Sequence, residues 1–296
     1  MYFESVRSYD GTLLAGHHAG EGPLPVLLAN GLGGTFIAWK PLVDAFRDRC
    51  HFYSWDYRGL YRSEAPQDRE TLAVPYQARD ALAVLDHFGI ERAIVCGWSM
   101  GVQVALELHR HHADRIAGFI LMNGTYGSPL STAKFPLAGH LLPPLIGGLR
   151  AVAPVTNLAV HAAARWRYTV PLAAALSLVD DNVDRGIFLG IAREFAHLDM
   201  DLYLETLRRL GDHDAGDVLA DVEVPALLIA GDRDVMTPKE VTGRMVREMA
   251  RAELFVVPRG THYCLVEYPE LIALRVEKFL NEHFPHGIDT RARKER

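Results

Sequence analysis

Three residues whose types suit acyl transfer are spread along this chain: a serine framed by glycines, a late histidine, and an aspartate between them. Gly97-Trp98-Ser99-Met100-Gly101 follows the apolar run Ala93-Ile94-Val95-Cys96 and precedes the helical pattern Val102 to Leu108. That is the strand-turn-helix setting in which a serine stands on a tight corner. Side chains two before and two after it would collide with neighbouring backbone, which accounts for glycine at 97 and 101. A serine hydroxyl is a weak nucleophile until a base takes its proton. Of the fourteen histidines, His262 alone lies between the last apolar strand and the final helix with a glycine, Gly260, just ahead of it.

The imidazole in turn needs a carboxylate to fix its tautomer. Gly231-Asp232-Arg233-Asp234-Val235-Met236-Thr237-Pro238 follows a buried strand and offers two, Asp232 and Asp234. Thr237 is expected to cap the next helix with Pro238 in its first turn, leaving both aspartates in the connecting loop. The glycines of Asn30-Gly31-Leu32-Gly33-Gly34 let backbone approach a substrate closely. The N–H groups of Leu32 and Met100 are the expected oxyanion donors, each worth about 3 to 4 kcal/mol in such a role.

These residues need a frame, and the chain alternates short apolar runs with helical patterns, as βαβ units do. Strands are expected at Leu24–Asn30, Cys50–Asp56, Arg92–Cys96, Ile116–Asn123, Val224–Ala230 and Glu253–Val257, with helices near 71–88, 101–112, 238–250 and 269–282. From 126 to 215 the alternation stops in favour of helical, Ala- and Leu-rich sequence. The reading is a core over 1–125 and 216–286, a helical cap over 126–215 and a flexible basic tail over 287–296, ending Arg291-Ala292-Arg293-Lys294-Glu295-Arg296. The cap's apolar content suits packing on the core and lining a pocket for an acyl or aromatic group.

Composition narrows the partners. With 31 basic against 37 acidic residues, a net charge of −6, no global positive field exists to attract nucleic acid. The apolar stretch Phe135 to Leu149 is broken by prolines and glycines and falls short of the ~20 residues that cross a bilayer, so no integral membrane segment is expected. Charges at Glu4 and Arg7 interrupt any signal-peptide core, which implies a cytoplasmic location. Cys50, Cys96 and Cys264 are too few and too widely spaced for a disulfide framework or a zinc site and are read as reduced thiols. Cys96 and Cys264 flank the proposed catalytic residues, so their alkylation would affect activity without either acting as nucleophile. His109, His111 and His112 end the helix after Ser99, where the helix dipole favours imidazolium. His17 and His18 lack carboxylate or cysteine partners at metal-ligand spacing, so no metal or other cofactor is expected.

Together these residues resemble the α/β-hydrolase superfamily, in its chain order of serine, acid and histidine, over nearly the whole chain. Asp56-Tyr57-Arg58-Gly59-Leu60-Tyr61-Arg62-Ser63 is similar to the Asp-x-Arg-Gly-x-Gly-x-Ser segment of capped members, and His262 with Glu267, Pro269 and Glu270 to their histidine loop and last helix. The resemblance implies an α/β fold with a mostly parallel sheet, and it selects Asp234 over Asp232 as the catalytic acid. Two positions depart from it. Asn30 stands where His often precedes the oxyanion glycine, altering how that loop is braced, and Tyr61 stands where Gly is usual, bringing a ring near the cap hinge. Asn30, Trp98 and Tyr61 are expected around the substrate pocket.

Serine at the corner argues against the haloalkane dehalogenases and epoxide hydrolases of this superfamily, which use aspartate there. The leading function is hydrolysis of a small-molecule carboxylic ester through an acyl-enzyme. The same triad also serves carbon–carbon, lactone or thioester cleavage, and a ligand-binding protein on a hydrolase scaffold is the reading from another class.

Overall fold

The computed structural model describes residues 2–128, 138–166, 171, 173–174 and 179–288. Its frame is a single sheet of β1 (Tyr2–Arg7), β2 (Leu13–Ala19), β3 (Leu24–Ala29), β4 (Cys50–Trp55), β5 (Ala93–Trp98), β6 (Ile116–Met122), β7 (Ala226–Gly231) and β8 (Ala252–Val257). The strands lie in the order β1-β2-β4-β3-β5-β6-β7-β8. β2 runs antiparallel to both β1 and β4, and every pairing from β4 to β8 is parallel. This is an α/β-hydrolase fold.

Parallel strands covered on both faces must be apolar on both faces, and the inner strands divide in that way. Leu27 and Ala29 of β3 and Ala93 and Val95 of β5 enter one core cluster. Their neighbours Val26, Leu28, Ile94 and Cys96 enter the cluster on the opposite face. Helices α1 (Lys40–Phe46), α2 (Val74–His87) and α3 (Met100–His112) connect the first strands. α2 and α3 cover the first face, with Val84, Leu85, Val104 and Leu108 in its core.

Six strands lie within two residues of their expected bounds, whereas the hairpin β1–β2 has no counterpart in the sequence reading. Its signal is weak because β1 buries only Val6 and β2 carries Gly16, His17 and His18 in mid-strand. Antiparallel pairing at a sheet edge does not require an apolar run on either face.

Between β6 and β7 the described chain forms α4 (Ala138–Ala151), α5 (Ala153–Arg165), α6 (Arg185–Phe195) and α7 (Met200–Asp212). Asp184 and Asp199 cap α6 and α7 by accepting first-turn N–H bonds. The two ends of this segment pair with each other: the Ala215 N–H donates to Tyr126 O at 2.9 Å and the Ser128 N–H to His213 O at 2.9 Å. The chain then completes the sheet with α8 (Lys239–Glu248), the single turn α9 (Cys264–Glu267) and α10 (Pro269–His283). α1 and α10 cover the second face through Leu42, Phe46, Val276 and Phe279.

Residues 135–137 of the apolar stretch and the basic tail from 291 lie outside the described residues. No helix among the described residues is long and apolar enough to cross a membrane. Two expectations about side chains are corrected. Thr237 does not cap α8, whose N-cap is Pro238, because its hydroxyl is turned toward Asp234. His109 and His112 are not poised as imidazolium, since burial lowers both pKa values and outweighs the nearby carboxylates Asp221 and Asp114.

Candidate active site

Ser99 joins the end of β5 to the start of α3 at φ 55°, ψ −115°, one of the sparsely populated conformations that cost about 1 to 3 kcal/mol. Its N–H donates to Met122 O at 3.0 Å, which ties the corner to β6. A Cβ on Gly97 would lie 2.6 Å from Gly101 O, and one on Gly101 would lie 2.0 Å from Ala29 O. Gly124, which sequence reasoning passed over, is a third such position: its Cβ would meet Ser99 O at 2.8 Å.

The turn brings Ser99 Oγ within 2.9 Å of His262 Nε2, and His262 Nδ1 lies 2.9 Å from Asp234 Oδ2. An ionised carboxylate only accepts, so Nδ1 carries the proton and Nε2 presents its lone pair to the serine hydroxyl. Asp234 Oδ2 also accepts from Thr237 Oγ1 at 2.7 Å and Asn123 Nδ2 at 2.8 Å. Its Oδ1 accepts from the N–H groups of Met236 at 2.8 Å and Thr237 at 2.9 Å. Burial alone would raise this carboxyl, but its electrostatic pairing and hydrogen bond with His262 and the hydrogen bonds from Thr237 outweigh it and hold Asp234 below the usual aspartate range. Asp232 turns away and pairs with Lys239.

Two further residues position this relay, of which Asn123 carried no signal in sequence. Asn123, at the left-handed φ of 44°, donates to Asp234 and to Thr261 O while accepting from Cys264 Sγ. Glu267 appears in the sequence only as part of a motif. It accepts from Thr261 N–H at 2.8 Å and Thr261 Oγ1 at 2.5 Å, clamping the histidine loop, and from the Asp180 N–H of the segment between β6 and β7. Trp98 adds a third tie, its Nε1–H donating to His262 O at 3.0 Å.

The Gly31–Gly34 turn lies against the serine, since a Cβ on Gly31 would stand 3.3 Å from Ser99 Cβ. Leu32 lines the cavity beside Ser99. Met100 opens α3, where first-turn N–H groups have no acceptor within the helix; its side chain is buried in the core. Asn30 is corrected as a pocket residue: it is 1% exposed, donates to Trp55 O, and accepts from Trp39 Nε1 at 2.7 Å. It braces the turn from behind. Tyr61 is corrected as well, because its ring lines a neighbouring cavity while its hydroxyl donates to Gly33 O at 2.6 Å. Tyr61→Phe, which leaves Gly33 without this donor, is expected to lower kcat about tenfold with little change in KM; steady-state kinetics on an ester would show it, and an unaltered kcat would remove Tyr61 from this role.

The cavity over Ser99 encloses about 400 Å³. α6 lines it with Phe188, Ile191, Ala192 and Phe195, and α7 with Tyr203, Leu207 and Leu210, spacings that put each set on one helical face. No Lys, Arg, Asp or Glu is among the described lining residues, so the site offers no charged anchor for an ionic substrate. The three thiols are buried and free. Burial pushes Cys50 up to about 12 and holds Cys96 and Cys264 well above the ordinary thiol range, so none is poised for alkylation in the folded protein.

Folding brings His17 and His18 the acidic partners Asp56 and Glu4 from elsewhere in the chain. Among the described residues, Glu253, Glu282 and His283 bring possible metal-ligand atoms within 4.8 Å of one another, but Arg275 and Lys278 already pair with the two glutamates.

The model of the alpha/beta hydrolase family matches residues 26–275, most of the chain, from within β3 to within α10 and across every residue of this relay. The chain belongs to the α/β-hydrolase family. Among curated relatives of this hydrolase, "Putative carbamate hydrolase RutD" of Caulobacter sp. (strain K31) is 26% identical over 261 residues, covering 86% of the chain and 90% of the relative. The solved enol-lactonase from Burkholderia xenovorans LB400 aligns at a TM-score of 0.74 with 26% identity, over 94% of this chain and 100% of that one. An esterase from Exiguobacterium antarcticum aligns at 0.77 with 17% identity, over 95% and 100%, a likeness of fold alone.

Proposed function

We propose that this α/β-hydrolase is a serine hydrolase that cleaves a neutral carboxylic ester with an apolar acyl or aromatic body. Ser99 is the nucleophile, His262 the base, Asp234 the acid behind it, and the Leu32 and Met100 N–H groups are the oxyanion donors. The observation that carries this reading is the unbroken Ser99–His262–Asp234 relay at 2.9 Å per contact, opening into a cavity with no charged group among its described lining residues.

Ser99 Oγ adds to the carbonyl carbon as its proton passes to His262 Nε2, and the carbonyl oxygen becomes an oxyanion. Collapse expels the alkoxide, which takes that proton and leaves as the alcohol. Water then gives a proton to Nε2 and attacks the acyl-enzyme, releasing the acid and restoring Ser99. The residues of segment 126–215 act as a cap, and the aromatic faces of α6 and α7 receive the apolar part of the substrate.

A lactone is an internal ester and passes through the same steps, a reading supported by the alignment with the enol-lactonase. A carbamate, suggested by the name of the curated relatives, exposes the same carbonyl to Ser99, but a small polar carbamate leaves the apolar walls of α6 and α7 unfilled. A panel of p-nitrophenyl esters of increasing acyl length tests the proposal: turnover rising from acetate to a medium chain is expected, with stoichiometric labelling of Ser99 by a fluorophosphonate. Labelling without ester turnover, together with cleavage of a vinylogous 1,5-diketone, moves the assignment to carbon–carbon hydrolysis. Absence of both labelling and turnover in folded protein moves it to ligand binding.

A further inference from the structure

A second cavity, of about 670 Å³, lies beside the first and shares no lining residue with it. The two are separated by a common wall. α6 turns Glu194 to the second cavity and Phe195 to the first, the turn after β3 gives Gly31–Gly34 to one and Thr35–Ile37 to the other, and Tyr61 lines the second while bonding Gly33 of the first.

Two buried polar atoms on residues lining this second cavity have no hydrogen-bond partner: His17 Nδ1 and Thr35 Oγ1. His17 is 5% exposed and Thr35 8%. His17 is not an incidental core histidine, because its Nε2 meets Asp56 Oδ1 at 3.0 Å, and Asp56 Oδ2 accepts the Arg62 N–H at 3.3 Å. The carboxylate can only accept, so Nε2 carries a proton, and in that imidazole tautomer Nδ1 offers a lone pair. Thr35 occupies the N-cap of the Phe36–Trp39 turn yet makes no capping bond, leaving its hydroxyl free to donate. A buried polar group without a partner destabilises the fold, and here two such groups of complementary character belong to residues that line one cavity.

The rest of the lining narrows the occupant. Phe36, a lining residue, packs against the His17 ring at 5.9 Å, giving an apolar setting for a flat or branched body. The charged lining residues nearly balance, four acidic against three basic, so no field selects an ion. We propose that this cavity is a second ligand site, taking a neutral amide or alcohol on an apolar body, with its N–H or O–H donating to His17 Nδ1 and its oxygen accepting from Thr35 Oγ1.

Benzamide is the probe, titrated into protein labelled with ¹⁵N-histidine, with His17→Gln used to assign the His17 resonances. The expected result is a saturable upfield shift of His17 Nδ1, about tenfold weaker binding in Thr35→Val, and no such shift with benzoate, which has no N–H to donate. An unmoved His17 Nδ1, a shift indifferent to Thr35→Val, or a response to benzoate equal to that with benzamide overturns the proposal. Because the titration reads binding without turnover, its failure is distinct from failure of the serine-hydrolase reading.

Discussion

Replacing Ser99 by alanine is expected to lower ester turnover by about 10⁶-fold, to the level that binding and oxyanion donors sustain without a nucleophile. The size follows from the geometry. Ser99 Oγ is the hydroxyl within hydrogen-bond reach of His262 Nε2, and the buried cysteines are held as thiols by burial. Water delivered by His262 remains as a nucleophile, but it lacks the fixed position that the β5–α3 corner gives Ser99. Folding should survive, because the residue already sits on the corner and alanine removes one oxygen without adding bulk. Turnover of a p-nitrophenyl ester, loss of fluorophosphonate labelling and an unchanged circular dichroism spectrum check this together. A folded Ser99→Ala protein that keeps more than a small fraction of wild-type turnover overturns the assignment of the nucleophile.

Asp234→Asn is expected to cost about 10⁴-fold in kcat, while Asp232→Asn leaves turnover unchanged. The asparagine amide would turn a donor toward His262 Nδ1, force the proton onto Nε2 and leave Ser99 facing an N–H in place of a lone pair. Asp232 lies in the same loop but pairs with Lys239, so its neutralisation reaches neither the histidine nor the cavity. Kinetics on the two variants decides between them, and a loss confined to Asp232→Asn reverses the roles. Stability gives a second readout with a definite sign. The Asp234 pKa is held below its ordinary value of 3.8, so the stabilisation from its charged form is complete above that value and fades as pH falls through the lower, folded-state pKa. The melting-temperature deficit of Asp234→Asn is therefore expected to be largest near neutral pH and to shrink in acid, which melts at pH 7 and pH 3 compare.

The layout of the molecule was legible in the sequence where local rules act alone. The inner parallel strands read clearly because both of their faces are buried, and Gly97 and Gly101 mark the serine corner because no side chain fits there. The hairpin β1–β2 left little trace, since an edge pair that buries one side chain of β1 needs no apolar pattern. Thr237 shows how a correct local rule loses to tertiary context. Its type and place before Pro238 suit a helix cap that accepts a first-turn N–H, but the buried carboxylate of Asp234 draws the hydroxyl to it as a donor instead.

By itself the sequence determined the elbow at Ser99, the glycine turn at Gly31–Gly34, the placement of His262 and the existence of two candidate acids, because each depends on residue type and spacing within a few positions. Only the tertiary structure set Asp234 against His262 and Asp232 against Lys239, brought Asn123 and Glu267 to the relay, placed Asn30 behind the turn and Tyr61 beside a second cavity, and gave His17 its partner Asp56. Most of those outcomes depend on which side chains meet across 28 to 164 positions of chain. A hydrogen bond or an apolar wall is a property of that meeting, and no local pattern encodes it.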